Sequence, residues 1–225
     1  MAKIQKATSY PGHEKRKTTP IHDQIQIALA LADQNSLIDL LLNSQPPAVC
    51  FDNRETCQKK ALINVSHWEL YGKIPSEWIA VKMETQEPVW KSLVCEVEVP
   101  IKKKSYAVDG IISYEYNQTT LVDLVHKSSG ETLIGEDPNE KKGRVLVEIK
   151  TEIQSWADTL RQIKRYQTEL EIPKAILVCD TLTELEAQGF MSQGVGIYPA
   201  TYLTPAIPNS NGINRDRKTL TYRKL

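Results

Sequence analysis

The sequence predicts an α/β fold in which helices flank a mixed central sheet. From about residue 92 the chain contains short runs rich in Val, Ile and Tyr, which are typical of strands. Two segments between the later runs place their apolar residues on one helical stripe. An order of four strands followed by helix, strand, helix and strand favours a sheet covered by helices. The predicted strands are residues 93–99, 106–116, 120–125, 144–150, 175–179 and 195–198, and the predicted helices are residues 155–170 and 183–193.

Two polar segments are predicted to connect the first strands. Lys102-Lys103-Lys104-Ser105 separates the first pair, which is therefore expected to form a hairpin. Residues 127–143 contain three glycines and Asp137-Pro138-Asn139, a composition that predicts a long polar loop. The sheet is expected to resume at residue 144.

The chain before residue 91 is predicted to be helical, with a basic arm in front of it. Residues 21–44 carry a helical pattern that Gln45-Pro46-Pro47 ends, and residues 54–85 are expected to be mostly helical. Basic residues outnumber acidic ones at both ends of the chain, where they can bind phosphates or remain solvated. The predicted organisation is a flexible basic arm (1–20), a helical region (21–90), an α/β core (91–205) and a basic tail (206–225).

Composition limits the class of protein. Of the 225 residues, 40% are apolar and 25% charged, as in an ordinary globular domain. The formal net charge of zero excludes a globally basic DNA binder. No apolar run approaches the ~18–20 residues that a membrane helix needs, and no signal peptide is evident, so an intracellular, cytoplasmic protein is expected. The four cysteines form no CxxC pair, which favours buried thiols over a zinc site.

Three residues in two predicted strands carry the candidate chemistry. Glu148 and Lys150 are two positions apart and therefore share one face of their strand. Asp109 interrupts another apolar strand, and neighbouring strands can bring two such carboxylates within ~5 Å of each other. A divalent cation relieves the repulsion between them. Asp123 is an alternative first acid.

This arrangement suits the hydrolysis of a phosphodiester. Mg²⁺ held by two carboxylates polarises a phosphoryl oxygen and acidifies a bound water. Lys150 is placed to orient or deprotonate that water. Glu96 and Glu98 share one face of the first strand, and Glu98 is a candidate additional ligand. The alternative to a catalytic role is a structural salt bridge between Glu148 and Lys150 at an exposed strand end.

An Asp on one strand, Glu-x-Lys on a later strand and then a helix resemble the PD-(D/E)XK nuclease superfamily. On the helix, Gln162 and Tyr166 resemble the Gln-x-x-x-Tyr motif of its RecB-like branch. The resemblance implies a restriction-endonuclease-like core with Asp109, Glu148 and Lys150 as catalytic residues. It also implies Mg²⁺ as cofactor, for which Mn²⁺ can substitute, and DNA as substrate. The implied metal ligands are Asp109, Glu148 and the backbone carbonyl of Ile149, and the implied DNA-binding or supporting residues are Gln162, Tyr166, Arg161, Lys164 and Arg165.

Other functions remain open at this point. The chain could be a DNA-binding module, or a subunit of a transposition complex that needs a partner before it acts. A homodimer or a larger nucleoprotein complex is compatible with each. Residues 65–75 resemble the end of a Cro- or repressor-type helix-turn-helix, in which a recognition helix enters the major groove. The alternative is a helical cap with Trp68 and Trp78 as packing residues.

Overall fold

The computed structural model of the chain confirms an α/β fold with a mixed sheet. It describes residues 5–6, 20–51, 77–101 and 106–203. The strands in these ranges are β1 (Gln5–Lys6), β2 (Trp78–Thr85), β3 (Val89–Pro100), β4 (Ala107–His126), β5 (Thr132–Glu152), β6 (Lys174–Thr181) and β7 (Val195–Pro199). The helices are α1 (Pro20–Leu31), α2 (Gln34–Asn43), α3 (Trp156–Leu170), α4 (Glu184–Ser192) and α5 (Ala200–Leu203).

The sheet combines parallel and antiparallel pairs. Its strand order is β1-β3-β4-β5-β6-β7, and β2 pairs with β4. β5, β6 and β7 are mutually parallel, because α3 and α4 supply the crossovers that parallel strands require. β2 and β4 are antiparallel, with Trp78 opposite His126. β1 runs parallel to β3, so Gln5 and Lys6, which the sequence assigned to the basic arm, form a short strand.

The chain divides into two compact units. α1 and α2 belong to the same unit as β6, β7 and α3. The first unit consists of Met1–Val49, Leu93–Tyr114 and Gly143–Leu225, and the second of Cys50–Ser92 and Glu115–Lys142.

The core of the first unit forms around the parallel strands. Residues 145–149 of β5 are all buried, as is usual for a parallel strand covered on both faces. α3 packs on the sheet through Ile163 and Tyr166, and Trp156 and Leu160 extend this contact. α1 buries Ile25 and Leu29, and α2 buries Leu37, Leu40 and Leu41. Truncating one of these core leucines to alanine typically costs about 2–5 kcal/mol of stability.

The helix boundaries follow local capping chemistry. Ser155 caps α3 by accepting a hydrogen bond from the Asp158 N–H, and Glu171 ends the helix in the left-handed conformation. Thr183 and Glu186 form a capping box at the start of α4. The segment predicted as one helix at 21–44 is two helices, because Asp33 caps α2 through the Ser36 N–H.

The second unit has its own small core. Val122 and Leu124 of β4 are buried beneath Trp78 and Ala80. Outside this core, Lys91 Nζ lies 3.1 Å from Glu140 Oε1 and 3.7 Å from Glu115 Oε1. Both pairs are largely solvent-exposed and contribute little stability.

Two secondary-structure predictions in this unit are wrong. The polar loop predicted at 127–143 is confined to residues 127–131, and Thr132 begins β5. Exposed strands tolerate Pro138 and charged residues, so the loop composition misled the prediction. Residues 78–85, predicted to be helical, form β2, whose pairing with β4 outweighs local propensity. The predicted strand at 120–125 is the continuation of β4.

Several predicted segments lie outside the described residues. These include most of the basic arm, the possible helix-turn-helix at 65–75 and the basic tail. Among the helices that the structure describes, none is by itself long and apolar enough to cross a membrane, and α1 and α2 together are bent by 112°.

Candidate active site

Asp109 is buried in β4 and faces the backbone of β5. The residue is 1% exposed. The Ile149 N–H donates a hydrogen bond to Asp109 Oδ2 over 2.8 Å. A carboxylate without solvent needs such donors, because desolvation of an ionised group is costly. Asp109 is therefore fixed beside the segment Glu148-Ile149-Lys150.

Glu148 and Lys150 lie side by side on β5. Lys150 Nζ is 2.5 Å from Glu148 Oε1. Glu148 is 1% exposed, whereas the side chain of Lys150 is 27% exposed. The predicted shared face is thus observed, and it is the interior of the unit rather than an exposed strand end. Burial of both carboxylates makes a passive surface salt bridge an inadequate description.

The backbone of Ile149 also faces Asp109. In an extended strand the N–H and C=O of one residue point toward the same neighbouring strand. Since the Ile149 N–H reaches Asp109, its carbonyl is on the β4 side of β5 as well. Oxygen donors from Asp109, Glu148 and Ile149 are consequently presented on adjoining strands.

Helix α3 adds the Gln-x-x-x-Tyr pair. Gln162 Nε2 donates to Glu148 Oε1 over 2.9 Å and to Tyr166 Oη over 2.9 Å. The two residues are one helical turn apart and so share a face. Tyr166 is buried, while Gln162 is half-buried. The amide of Gln162 therefore links the helix motif directly to the Glu-x-Lys strand.

Helix α1 contributes two residues that sequence reasoning missed. His22 Nε2 is 3.3 Å from Asp109 Oδ1, and the His22 side chain is 12% exposed. Gln26 Nε2 donates to the Asp109 backbone carbonyl over 3.4 Å. The sequence contains only a weak indication that these two residues belong to the site. His22 and Gln26 are one helical turn apart and flank the buried Ile25. Nothing in the sequence ties them to a residue more than 80 positions away.

Gly110 lets α1 approach β4 at this point. A Cβ at residue 110 would lie 2.9 Å from Leu29 Cδ2 and 3.5 Å from the Glu96 carbonyl oxygen. The first distance is too short, so the end of the Leu29 side chain would have to shift, whereas the second is an ordinary van der Waals contact. The glycine after Asp109 therefore lets Leu29 of α1 pack closely against β4 next to the site.

The electrostatics favour a protonated Lys150. Burial alone would lower the pKa of Lys150, but the charge and hydrogen bond of Glu148, aided by Asp109, raise it above its ordinary value. Burial raises the pKa of Tyr166, and the charge of Glu148 raises it further. At neutral pH Lys150 is thus an ammonium and Tyr166 a neutral phenol.

The three basic residues predicted on α3 differ in their surroundings. Arg161 Nη1 is 2.5 Å from Asp158 Oδ1. Lys164 Nζ donates to the Gln193 carbonyl over 2.7 Å. Arg165 lies over the rings of Tyr106 and Tyr166, 4.7 and 5.4 Å from their centroids.

The structure separates the competing acids. Asp123 lies in the second unit, opposite Lys82 on β2. Asp109 is therefore the acid beside Glu148 and Lys150. Glu98 is half-buried on β3 and has a left-handed backbone with φ of 51°.

In the described part of the chain, no three His, Cys, Asp or Glu side chains converge into a metal-binding group. Side chains alone thus do not form a complete ligand shell. Mg²⁺ usually keeps several waters and binds through one or two carboxylates, which matches Asp109, Glu148 and the Ile149 carbonyl. The donor set fits a partly hydrated ion.

No protein family model, curated protein sequence or solved structure matches this chain. The geometry of the site and the sequence pattern are therefore the basis for assigning a function.

Proposed function

We propose that the chain is a metal-dependent nuclease that hydrolyses DNA phosphodiester bonds on a PD-(D/E)XK, restriction-endonuclease-like core. One observation carries the proposal. The Asp109 carboxylate accepts a hydrogen bond from the N–H that lies between Glu148 and Lys150. Asp109 and Glu148, which are predicted to bind metal, and Lys150, which is predicted to activate water, thus meet at one point of the sheet. They do so although Asp109 is 40 positions from Ile149 in the sequence.

The proposed ligands are Asp109, Glu148 and the Ile149 carbonyl. All three offer hard oxygen donors, which Mg²⁺ prefers and Mn²⁺ also accepts. When bound there, the ion would polarise a phosphoryl oxygen and lower the pKa of a water ligand. Two carboxylates against one ammonium leave a negative balance in a buried setting, which a divalent cation offsets.

Lys150 supplies a positive charge at the reacting phosphate. Because its pKa is raised, it holds its protons at neutral pH. The ammonium would then donate to the attacking water or to a phosphoryl oxygen, rather than remove a proton from the water. Its 27% exposure leaves it open to a substrate on the solvent side.

Gln162, Tyr166 and His22 position the charged groups. Gln162 holds Glu148 Oε1, and the bond to Tyr166 fixes the amide in turn. His22 lies against the second oxygen of Asp109, so both carboxylate oxygens have a neighbour. Such outer contacts orient ligands and typically affect metal affinity or activity 10–100-fold.

Cleavage assays test the proposal. Plasmid, linear and branched DNA are incubated with the protein in Mg²⁺, Mn²⁺ or EDTA. We expect cleavage with either metal, none in EDTA, and a loss on the order of 10²–10³-fold in Asp109→Asn, Glu148→Gln and Lys150→Met. Glu131→Gln and Lys142→Met, which change exposed residues of the same charge, should cleave like the wild type.

Two results would contradict the enzyme. Cleavage that survives in Glu148→Gln would point to a contaminating nuclease or another site. DNA binding without cleavage under any metal condition would replace the enzyme with a DNA-binding module. Cleavage only after a partner protein is added would instead identify a partner-dependent nuclease subunit. Circular dichroism of each variant establishes that the fold is retained.

A further inference from the structure

We propose that Arg165, positioned by Tyr106, binds a DNA phosphate next to the scissile one. The inference rests on the proposed nuclease function and deepens it by naming the group that holds the strand. It is carried by a stack of three side chains: the exposed Arg165, the half-buried Tyr106 and the buried Tyr166. We call these three residues the arginine stack.

The geometry of the stack keeps the guanidinium available. Arg165 Cζ lies 4.7 Å from the centroid of Tyr106 and 5.4 Å from that of Tyr166. The two rings are 5.6 Å apart, with an interplanar angle of 33°. Stacking uses the face of a guanidinium, whereas its N–H donors lie in the plane and match the oxygens of a phosphate. The guanidinium also donates to the Tyr166 hydroxyl, and because it carries five N–H donors, others remain for a phosphate.

The other two cations of the helix are already engaged. Arg161 bonds Asp158, and Lys164 bonds the carbonyl of Gln193. Arg165, by contrast, forms no ion pair with any carboxylate in the described residues. Of the three basic residues predicted to contact DNA, the structure favours Arg165.

Tyr106 is itself held in place by Glu169. Its hydroxyl donates to the Glu169 carboxylate, at 3.0 Å from Oε1 and 3.1 Å from Oε2. Glu169 is four residues after Arg165, a spacing at which Glu and Arg often pair on a helix. Here the Glu169 carboxylate accepts from the Tyr106 hydroxyl, and this contact holds the ring in place.

The stack adjoins the candidate catalytic residues. Tyr166 Oη accepts from Gln162 Nε2, which also donates to Glu148 Oε1. Two hydrogen bonds thus connect the stacked ring to the catalytic carboxylate. A strand whose phosphate contacts Lys150 would pass Arg165 with a neighbouring phosphate. The ligand class is consequently a nucleic acid backbone rather than a free nucleotide.

The test measures DNA binding in the Glu148→Gln background, where cleavage does not interfere. Fluorescence anisotropy of a labelled DNA is recorded against salt concentration. Loss of one phosphate contact should weaken binding about tenfold and reduce the slope of log K against log[salt] by about 0.9. We expect this for Arg165→Ala. Arg165→Lys should retain the slope with lower affinity, and Lys142→Met, which removes an exposed positive charge elsewhere, should resemble the parent.

A double-mutant cycle tests the positioning role of Tyr106. Tyr106→Leu should weaken binding, whereas Tyr106→Phe, which keeps the ring, should lose less. In the Arg165→Ala background, Tyr106→Leu should cause no further loss of DNA binding, because the tyrosine acts through the arginine. Additive losses would show that Tyr106 contributes independently and would overturn its assigned role.

The outcomes separate this inference from the proposed function. If the wild type cleaves DNA but Arg165→Ala binds DNA as its parent does, the phosphate contact is wrong and the nuclease stands. If the wild type never cleaves but Arg165→Ala selectively lowers the salt slope, the contact stands and the nuclease is wrong. If no DNA binds at all, both are overturned.

Discussion

At the residue scale, the buried carboxylates dominate the energetics of the site. Asp109 and Glu148 are both 1% exposed, so each needs donors in place of water. A backbone N–H donates a hydrogen bond to Asp109. An ammonium and an amide donate hydrogen bonds to Glu148. Removing one partner of a buried ion pair typically costs about 3–5 kcal/mol, whereas conservative amides change less. Glu148→Gln is consequently a cleaner functional probe than removal of Lys150.

His22 is expected to matter for activity more than for folding. Because its ring lies 3.3 Å from Asp109 Oδ1, replacing it leaves the carboxylate free to rotate away from a metal. His22→Ala should reduce the rate of metal-dependent cleavage about 10–100-fold. Gln24→Ala, an exposed change on the same helix, is the matched control. Equal rates for His22→Ala and the control would remove His22 from the site.

At the scale of elements, the features that could be predicted from the sequence are those that depend on residues close together in the chain. α3 was predictable because its stripe repeats with helical period, and the Gln162–Tyr166 spacing is set by the helix itself. Asp109, Glu148 and Lys150 were recognisable because each interrupts an apolar strand. β2 and the first half of β5 were missed, since pairing partners rather than propensity determine them. His22 was missed because only tertiary packing of α1 brings it to Asp109.

β7 offers a test of packing between elements. A Cβ at Gly196 would lie 2.7 Å from the Pro46 carbonyl oxygen and 3.1 Å from Ser44 Cβ. A backbone atom cannot move aside as easily as the end of a flexible side chain can. Gly196→Ala should therefore lower the free energy of unfolding by about 1–3 kcal/mol. Urea denaturation measures this.

The strand glycine Gly135 is the control for that substitution. Its nearest contact would be Leu124 Cδ1 at 3.4 Å, an ordinary van der Waals separation. Gly135→Ala should therefore cost clearly less stability. A Gly196→Ala variant as stable as Gly135→Ala would show that the loop around Pro46 moves aside easily.

At the scale of the whole molecule, four separate segments supply one site. They come from α1, β4, β5 and α3, all within the first compact unit. The formal net charge is zero, so in the proposed function the attraction to DNA would depend on local groups such as Lys150 and Arg165 rather than on the global field. Binding of an ion between these segments would stabilise the folded state as a whole.

Mg²⁺ should therefore raise the melting temperature. At 100 times its Kd a ligand stabilises the native state by about 2.7 kcal/mol, which corresponds to a shift on the order of 5 °C for a chain of this size. Differential scanning fluorimetry at constant ionic strength measures it. The shift should vanish in the Asp109→Asn, Glu148→Gln double variant. A shift that persists there would place the ion elsewhere.

The bond from Ile149 to Asp109 has a donor that no side-chain substitution can delete, short of proline. The orientation of the Asp109 carboxylate therefore depends on how β4 and β5 are aligned. A slip of β5 by a single residue would bring Val147 and Ile149 to the reacting face in place of Glu148 and Lys150. Core substitutions far from the candidate site would therefore abolish the proposed activity while leaving the protein folded, if they alter how these strands align.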